Sequence, residues 1–440
     1  MLSARFRMKG IAIFATATLA LAMTATPTLA ASSSYYVPAP DKGAVKQIKD
    51  LVKQGGASDL SNAALLTAMV SEGHAVWFTG GTPGAVREQV KKTMRLAYAQ
   101  DAVPVLVAYN LPYRDCGQYS KGGALSTAAY KAWIDGFAAG IGSSDAVVIL
   151  EPDGLGLIPN YVSELDGSQN CTISGPEATP AARFEQLNYA VDVLTALPNT
   201  AVYLDATHSG WQNVSETAFR LLKVDVEQTD GFFLNASNYQ YTSNEVQYGT
   251  WVSACITAAT TSPSWTGDPV GPLGSGFPDC PNQYWNGGPA TGWAGTALSP
   301  YGEWSTSWSG LATDLPLTTA GINSRYATRA AGTTHFVIDT GRNGQGPWDW
   351  AAAGYASAAA AQDWCNPPGR GLGIAPTTNT GNALVDAYLW VKVPGESDGS
   401  CTRGTGGTTD PEWGNIVDPA AGAWFPQQAL QLAQLAKPAL

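Results

Sequence analysis

The sequence predicts an α/β fold built on a parallel sheet that closes, or nearly closes, into a (β/α) barrel. Three observations predict it. Seven apolar stretches bounded by turn residues recur along the chain, at 75–80, 103–110, 146–153, 200–207, 231–239, 334–341 and 385–393. Within the third, Val147-Val-Ile-Leu150 has no polar alternation, as expected of a parallel strand buried on both faces. Helical patterns lie between the strands, and repeated strand-helix alternation over roughly 400 residues fits such a barrel.

From the N-terminus, Arg5, Arg7 and Lys9 precede an apolar run from Gly10 to about Met23, with small residues around Ala30 and Ala31. Residues 1–30 therefore read as a secretory signal peptide, and residues 31–440 as a single secreted, extracellular domain. No later run keeps about 18 consecutive apolar residues, so no membrane span is expected. The first strand is followed by a helix with Val86, Val90, Met94 and Ala97 on one face and Glu88 and Lys92 at the i, i+4 spacing of a solvated one. Further helices are predicted at 126–142, 180–197, 216–227 and 243–259. Two segments break the rhythm. Residues 261–315 are rich in Gly, Pro and Ser and carry Trp265, Trp285, Trp293, Trp304 and Trp308, while 397–423 is rich in Gly, Thr and Asp. Long irregular segments in a compact domain are commonly functional loops, and the density of Trp argues against plain disorder.

Composition narrows the function. The net charge is −11 and only 13% of residues are charged, which disfavours a phosphate-tracking nucleic-acid surface. Aromatics make up 10% of the chain, with 15 Trp, and flat stacking surfaces in a weakly charged protein suit uncharged sugar rings. Cys116, Cys171, Cys255, Cys280, Cys365 and Cys401 form no CxxC pair, so three disulfides are favoured over a metal site. Six thiols allow 15 pairings; pairing neighbours along the chain, 116 with 171, 255 with 280 and 365 with 401, closes the shortest loops.

Reacting groups of an α/β barrel sit at the C-terminal ends of its strands, and acids collect there. Asp115 follows the second strand, Asp153 ends the third, Asp205 the fourth and Asp339 the sixth, and Glu396 and Asp398 follow the seventh. Glycoside hydrolysis needs such a set: one carboxylic acid that protonates the leaving oxygen, and carboxylates that activate water and stabilise an oxocarbenium-like centre. The chain lacks HExxH and GxxxxGKS, and its three histidines, His74, His208 and His335, are scattered. Zinc-hydrolase and nucleotide-binding readings lose support accordingly.

Eight stretches in order carry a family resemblance: Trp77-Phe, Val107-Ala-Tyr-Asn-Leu-Pro-Tyr-Arg-Asp-Cys, Ile149-Leu-Glu-Pro-Asp, Tyr203-Leu-Asp-Ala-Thr-His, Asn235-Ala-Ser-Asn-Tyr, Asp339-Thr-Gly-Arg-Asn-Gly, Asp363-Trp-Cys-Asn and Lys392-Val-Pro-Gly-Glu-Ser-Asp-Gly. In these the chain resembles glycoside hydrolase family 6, the inverting cellulases. The resemblance implies a distorted seven-stranded parallel barrel, a variant of the TIM barrel, with two long active-site loops. It implies cellulose or cello-oligosaccharides as substrate, acted on by a monomer without cofactor, metal, membrane or nucleic acid. Asp153 matches the general acid. Asp115 matches the carboxylate that raises the acid's pKa and is assigned to water activation through a second water, with Arg114 expected to keep it ionised. Asp398 matches the other base candidate, held charged by Lys392 and Arg342. Tyr109 matches the tyrosine that crowds the sugar at the cleavage point, and Asp205 a structural and binding carboxylate. Trp77, His208, Trp211, Asn238, Trp364, Lys392 and Glu396 match sugar-binding positions.

Two positions depart from the pattern. Lys121 stands where many relatives have a serine that positions water, leaving Ser120 or the loop backbone for that role, and Val214 replaces a tryptophan of some cellobiohydrolases. Glu151 is expected to point away from Asp153, and Trp133 and Trp390 to pack in the core. The long loops favour an exo-acting cellobiohydrolase over an endoglucanase. A non-catalytic sugar-binding barrel and a retaining glycosidase of another barrel family are the competing functions.

Overall fold

The computed structural model describes residues 34–116, 118–163, 169, 171–261, 280–284, 298–307 and 318–440. The signal-peptide expectation and most of the 261–315 segment lie outside these residues. Among these residues nine strands run in chain order: β1 (Ser34–Tyr35), β2 (Val76–Phe78), β3 (Ala102–Val103), β4 (Val105–Ala108), β5 (Ala146–Leu150), β6 (Thr200–Asp205), β7 (Gly231–Leu234), β8 (Phe336–Asp339) and β9 (Val385–Leu389). The seven expected strands form one parallel sheet ordered β2-β4-β5-β6-β7-β8-β9, and β1 pairs with β3 separately. At the seam between β9 and β2, the Ala75 N–H donates to the Trp390 carbonyl at 2.9 Å and the Trp77 indole to the Val391 carbonyl at 2.8 Å. The barrel is thus nearly closed.

Side chains alternate across this sheet because successive Cβ atoms point to opposite faces. Val105, Val107, Val147, Ile149, Tyr203, Phe233, Val337 and Leu389 fill one cluster, the barrel interior. Leu106, Val148, Leu150, Val202, Leu204, Phe232 and Ile338 face the helices in another. Burial on both faces explains why β5 reads as an unbroken apolar run, each such side chain contributing about 1.5–3 kcal/mol.

Ten helices surround the sheet among the described residues: α1 (Lys42–Gln54), α2 (Ala57–Val70), α3 (Pro83–Ala99), α4 (Thr127–Ile141), α5 (Pro180–Thr195), α6 (Val214–Leu222), α7 (Thr242–Thr260), α8 (Thr319–Tyr326), α9 (Ala358–Ala361) and α10 (Pro426–Gln434). Local chemistry sets their starts. Thr82 and Thr179 accept from the N–H three residues on and are each followed by a proline, whose missing donor costs nothing at a first turn. The helix expected at 216–227 is shorter: α6 ends at Leu222, and Asp225 adopts a left-handed backbone (φ 54°) before a single 3-10 turn. α1, α2, α8, α9 and α10 go beyond the helices predicted. Leu66 and Met69 of α2 pack with Trp390 and with Ala429 and Leu432 of α10, covering the seam.

Cys116–Cys171, Cys255–Cys280 and Cys365–Cys401 are bonded as neighbour pairing predicts. Trp133 and Trp390 are buried in the core as expected.

Candidate active site

A cleft of about 780 Å³ opens at the C-terminal ends of the strands, and Asp115, Asp153 and Asp398 all line it. Its floor is built by short, strained turns. Tyr113, Asp115, Glu151 and Asp153 take left-handed backbone angles (φ 57°, 47°, 55° and 60°), a costly conformation that clusters where geometry serves chemistry. The Glu151 carboxylate accepts the Asn110 and Leu111 N–H groups at 2.8 and 3.1 Å, tying the β5 end to the loop after β4. Glu151 therefore turns away from the cleft, as expected. The cause is the left-handed turn just past Leu150, since simple alternation would put Glu151 and Asp153 on the same side. Buried Arg183, from α5, donates to the Gly154 carbonyl at 2.6 Å and the Pro112 carbonyl at 3.0 Å, clamping the two loops that carry Asp153 and Asp115.

The carboxyls are pushed in opposite directions. Asp153 is raised well above the usual carboxylate range, by burial first and then by the negative charges of Asp115, Asp205 and Asp398. Asp398 is lowered: burial alone would raise it, but Arg342 and Lys392 outweigh that cost. Arg342 Nη1 lies 2.9 Å from Asp398 Oδ2, and Lys392 Nζ lies 3.7 Å from Oδ1. Oδ2 also accepts from the Tyr239 hydroxyl and the Asn366 N–H, each at 2.9 Å. Oδ1 is left on the Lys392 side.

Asp115 differs from expectation. The Arg114 guanidinium donates to the carbonyls of Thr79, Tyr109 and Ser120, whereas the Asp115 carboxylate accepts from the Tyr109 hydroxyl. Arg114 acts on it only through its field, and burial prevails, raising Asp115 as well. Asp153 is raised further than Asp115, whose charge is among the causes, so of the two Asp153 keeps the proton to the higher pH.

Asp205 is a second difference. It lies beneath the cleft, 2% exposed, accepting the N–H groups of Leu155, Gly156 and Thr207 at 3.0, 3.2 and 3.0 Å. Its carboxylate braces the Asp153 loop and presents no face to a ligand in the cleft. Asp339 is likewise structural, accepting from Ser237, Gly341, Val391 and Lys392 N–H groups.

Trp77, Tyr109, Arg114, His208, Trp211, Asn238, Trp364, Lys392 and Glu396 line the cleft, together with Ser120 and Lys121; Arg342 lies behind the lining, against Ser237, Tyr239 and Asp398. Trp77 meets the Tyr109 ring edge-on at 5.2 Å. A Cβ at Gly156 would come within 2.6 Å of the Trp211 indole, so the residue must stay small. Loss of hydration lowers His208 to about 3, leaving a neutral imidazole suited to hydrogen bonding with hydroxyls and not to proton shuttling. Both irregular segments contribute: Leu298, Ser299, Pro300, Tyr301 and Trp304 from the first, Ala421 and Gly422 from the second. The second is anchored by a fully buried ion pair, Arg403 with Asp410 at 2.7 Å.

The indole N–H groups sort the tryptophans. Trp77, Trp133, Trp251, Trp304, Trp390, Trp413 and Trp424 each donate to a protein acceptor. Trp211, Trp348, Trp350 and Trp364 have no such acceptor among the described residues, and all four line the cleft. Sequence reasoning passed over Trp348 and Trp350. Tyr239 and Asn366 lie within the matching stretches without a site role of their own in sequence, and Arg183 has no sequence signal because it acts from a helix distant in the chain.

The model of the glycosyl hydrolases family 6 matches residues 30–436. Endoglucanase 1 of Streptomyces halstedii is 31% identical over 348 residues, covering 79% of this chain and 77% of that protein. Endoglucanase A of Thermobispora bispora is 29% identical over 365 residues, 82% of this chain, which spans only 55% of that relative's length. The endoglucanase Cel6 of Mycobacterium tuberculosis, solved with methyl-cellobiosyl-4-deoxy-4-thio-β-D-cellobioside, superposes with a TM-score of 0.60 at 30% identity, covering 92% of this chain and 98% of that one. The catalytic core domain of the cellobiohydrolase Cel6A of Chaetomium thermophilum shares the fold, with a TM-score of 0.57 at 22% identity and coverage of 92% and 98%.

Proposed function

The chain belongs to glycosyl hydrolase family 6, and from that premise we propose that it is a secreted cellulase that hydrolyses β-1,4-glucosidic bonds with inversion at the anomeric carbon. The observation that carries this reading is the pair of carboxyls with opposed perturbations in one cleft, Asp153 raised and Asp398 lowered. Asp153 gives its proton to the glycosidic oxygen as the bond from C1 breaks. A water on the opposite face attacks C1, and Asp398 takes that water's proton through Oδ1, the oxygen not saturated by Arg342, Tyr239 and Asn366. Asp115 holds Asp153 protonated, and its buried Oδ1 has no partner among the described residues. Proton NMR of the first-formed anomer is the test: the α-anomer is expected, and initial β-anomer would refute inversion.

The finer reading is exo attack releasing cellobiose, supported by residues of both irregular segments on the cleft wall. Cellobiose should then dominate the products, and carboxymethylcellulose viscosity should fall slowly for each reducing end released. An endo reading is favoured by the higher identity to the Mycobacterium tuberculosis endoglucanase, and a rapid viscosity drop would select it.

A further inference from the structure

We propose that Trp348, Trp350 and Tyr301 form an additional sugar-binding wall of the cleft, which engages a glucose ring away from the cleavage point. The proposal rests on the cellulase reading and adds a site to it. Core-packed indoles in this protein satisfy their N–H groups on the protein, as buried Trp usually does. Trp348 and Trp350 do not, and they share that property with Trp211 and Trp364, two of the three cleft tryptophans expected from sequence to hold sugars; the third, Trp77, donates to the Val391 carbonyl. A free indole donor beside a flat apolar face matches a pyranose ring, which presents C–H groups on its faces and hydroxyls at its rim.

The wall is built to stay in place. The Arg403 guanidinium sits 5.4 Å from the Trp348 ring, and Tyr355 meets that ring edge-on at 5.4 Å. Arg403 is fixed in turn by Asp410, and the Tyr355 hydroxyl by Glu412 at 2.7 Å. Trp350, half-buried, donates its backbone N–H to the Trp348 carbonyl at 3.0 Å and stands perpendicular to Tyr301 at 6.3 Å. Preorganised aromatics lose little freedom on binding. The Tyr301 hydroxyl feels the charges of Asp349 and Asp363, so the wall continues the stretch that carries Trp364. Asp363 lines the cleft beside it and can accept from sugar hydroxyls. The hydrogen bonds that Asp115 and Asp398 accept come from Tyr109, Tyr239, Arg342 and Asn366, and not from these three aromatics.

The test is calorimetric titration of cellotriose, cellotetraose, cellopentaose and cellohexaose into the Asp153→Asn protein, with and without Trp350→Ala. The wall predicts a loss on the order of tenfold for cellohexaose that shrinks towards cellotriose. Trp350→Phe, which keeps a face, should retain most of the affinity. Should the alanine variant not fold, Trp350→Gln is expected to give the same length-dependent loss. No loss at any length, or an equal loss at every length as a purely structural role gives, overturns the proposal. Absence of all cello-oligosaccharide binding by the Asp153→Asn parent would overturn the cellulase reading itself, and this one with it.

Discussion

Replacing Arg342 by Met should move the acid limb of the pH-rate profile upward. In the native protein the guanidinium lies 2.9 Å from Asp398 Oδ2, with side chains 1% and 8% exposed. At an effective dielectric constant of about 20, that separation gives an attraction of about 6 kcal/mol before desolvation is counted. Breaking a buried pair by removing one partner costs about 3–5 kcal/mol, and the lower end applies because Tyr239 and Asn366 still donate to Oδ2 and Lys392 still faces Oδ1. At about 1.36 kcal/mol per pKa unit, Asp398 should rise by about two units. A base must be ionised, so kcat/KM on a soluble cello-oligosaccharide should begin to fall about two pH units earlier on acidification, while Arg342→Lys should restore most of the native limb. Stability gives an independent reading. Native Asp398, lowered by folding, contributes stability that is present above its unfolded pKa and lost as pH falls through its folded one. In the Met variant the folded pKa moves upward, so this contribution shrinks, and the unfolding midpoint of the variant should fall less on acidification from neutrality than that of the native protein. An acid limb that stays in place would remove Asp398 from the role of base.

Two further outcomes are expected. Asp115→Asn removes the charge that, after burial, does most to raise Asp153, so the alkaline limb of kcat/KM should shift to lower pH; an unchanged limb would mean that Asp115 does not hold the proton on Asp153. Asn366→Ala strips side-chain bonds from the Asp398 N–H at 2.8 Å, the Gly399 carbonyl at 3.0 Å and the Asp418 carboxylate at 2.9 Å, all buried, and should lower stability by at least about 1–3 kcal/mol in denaturant titration. It should also reduce kcat more than it changes KM, because the Asp398 backbone loses its anchor.

Much of the fold was legible in the chain. Strands buried on both faces of a parallel sheet write themselves as unbroken apolar runs, so all seven strands of the sheet were found. Helices with one packed stripe and a clear cap, such as α3 and α5, were found for the same reason. α10 was not, since its buried face is set by Leu66, Met69 and Trp390, which only the closed barrel brings to it. At the site, placing carboxylates at strand ends brought Asp115, Asp153 and Asp398 to one cleft, because strand ends share a rim.

The sequence by itself determined the parallel barrel, the rim of acids and the family, since periodicity and residue identity are local properties of the chain. Only the tertiary structure decided what each charge does. Asp115 and Asp205 read alike in sequence, yet one faces the cleft with a hydroxyl on its carboxylate and the other is spent on three backbone N–H groups. Arg114, adjacent to Asp115 in the chain, binds carbonyls instead, while Arg342, 56 residues from Asp398, makes the ion pair. Burial and through-space distance set pKa and hydrogen bonding, and neither is a function of position along the chain until the chain has closed on itself.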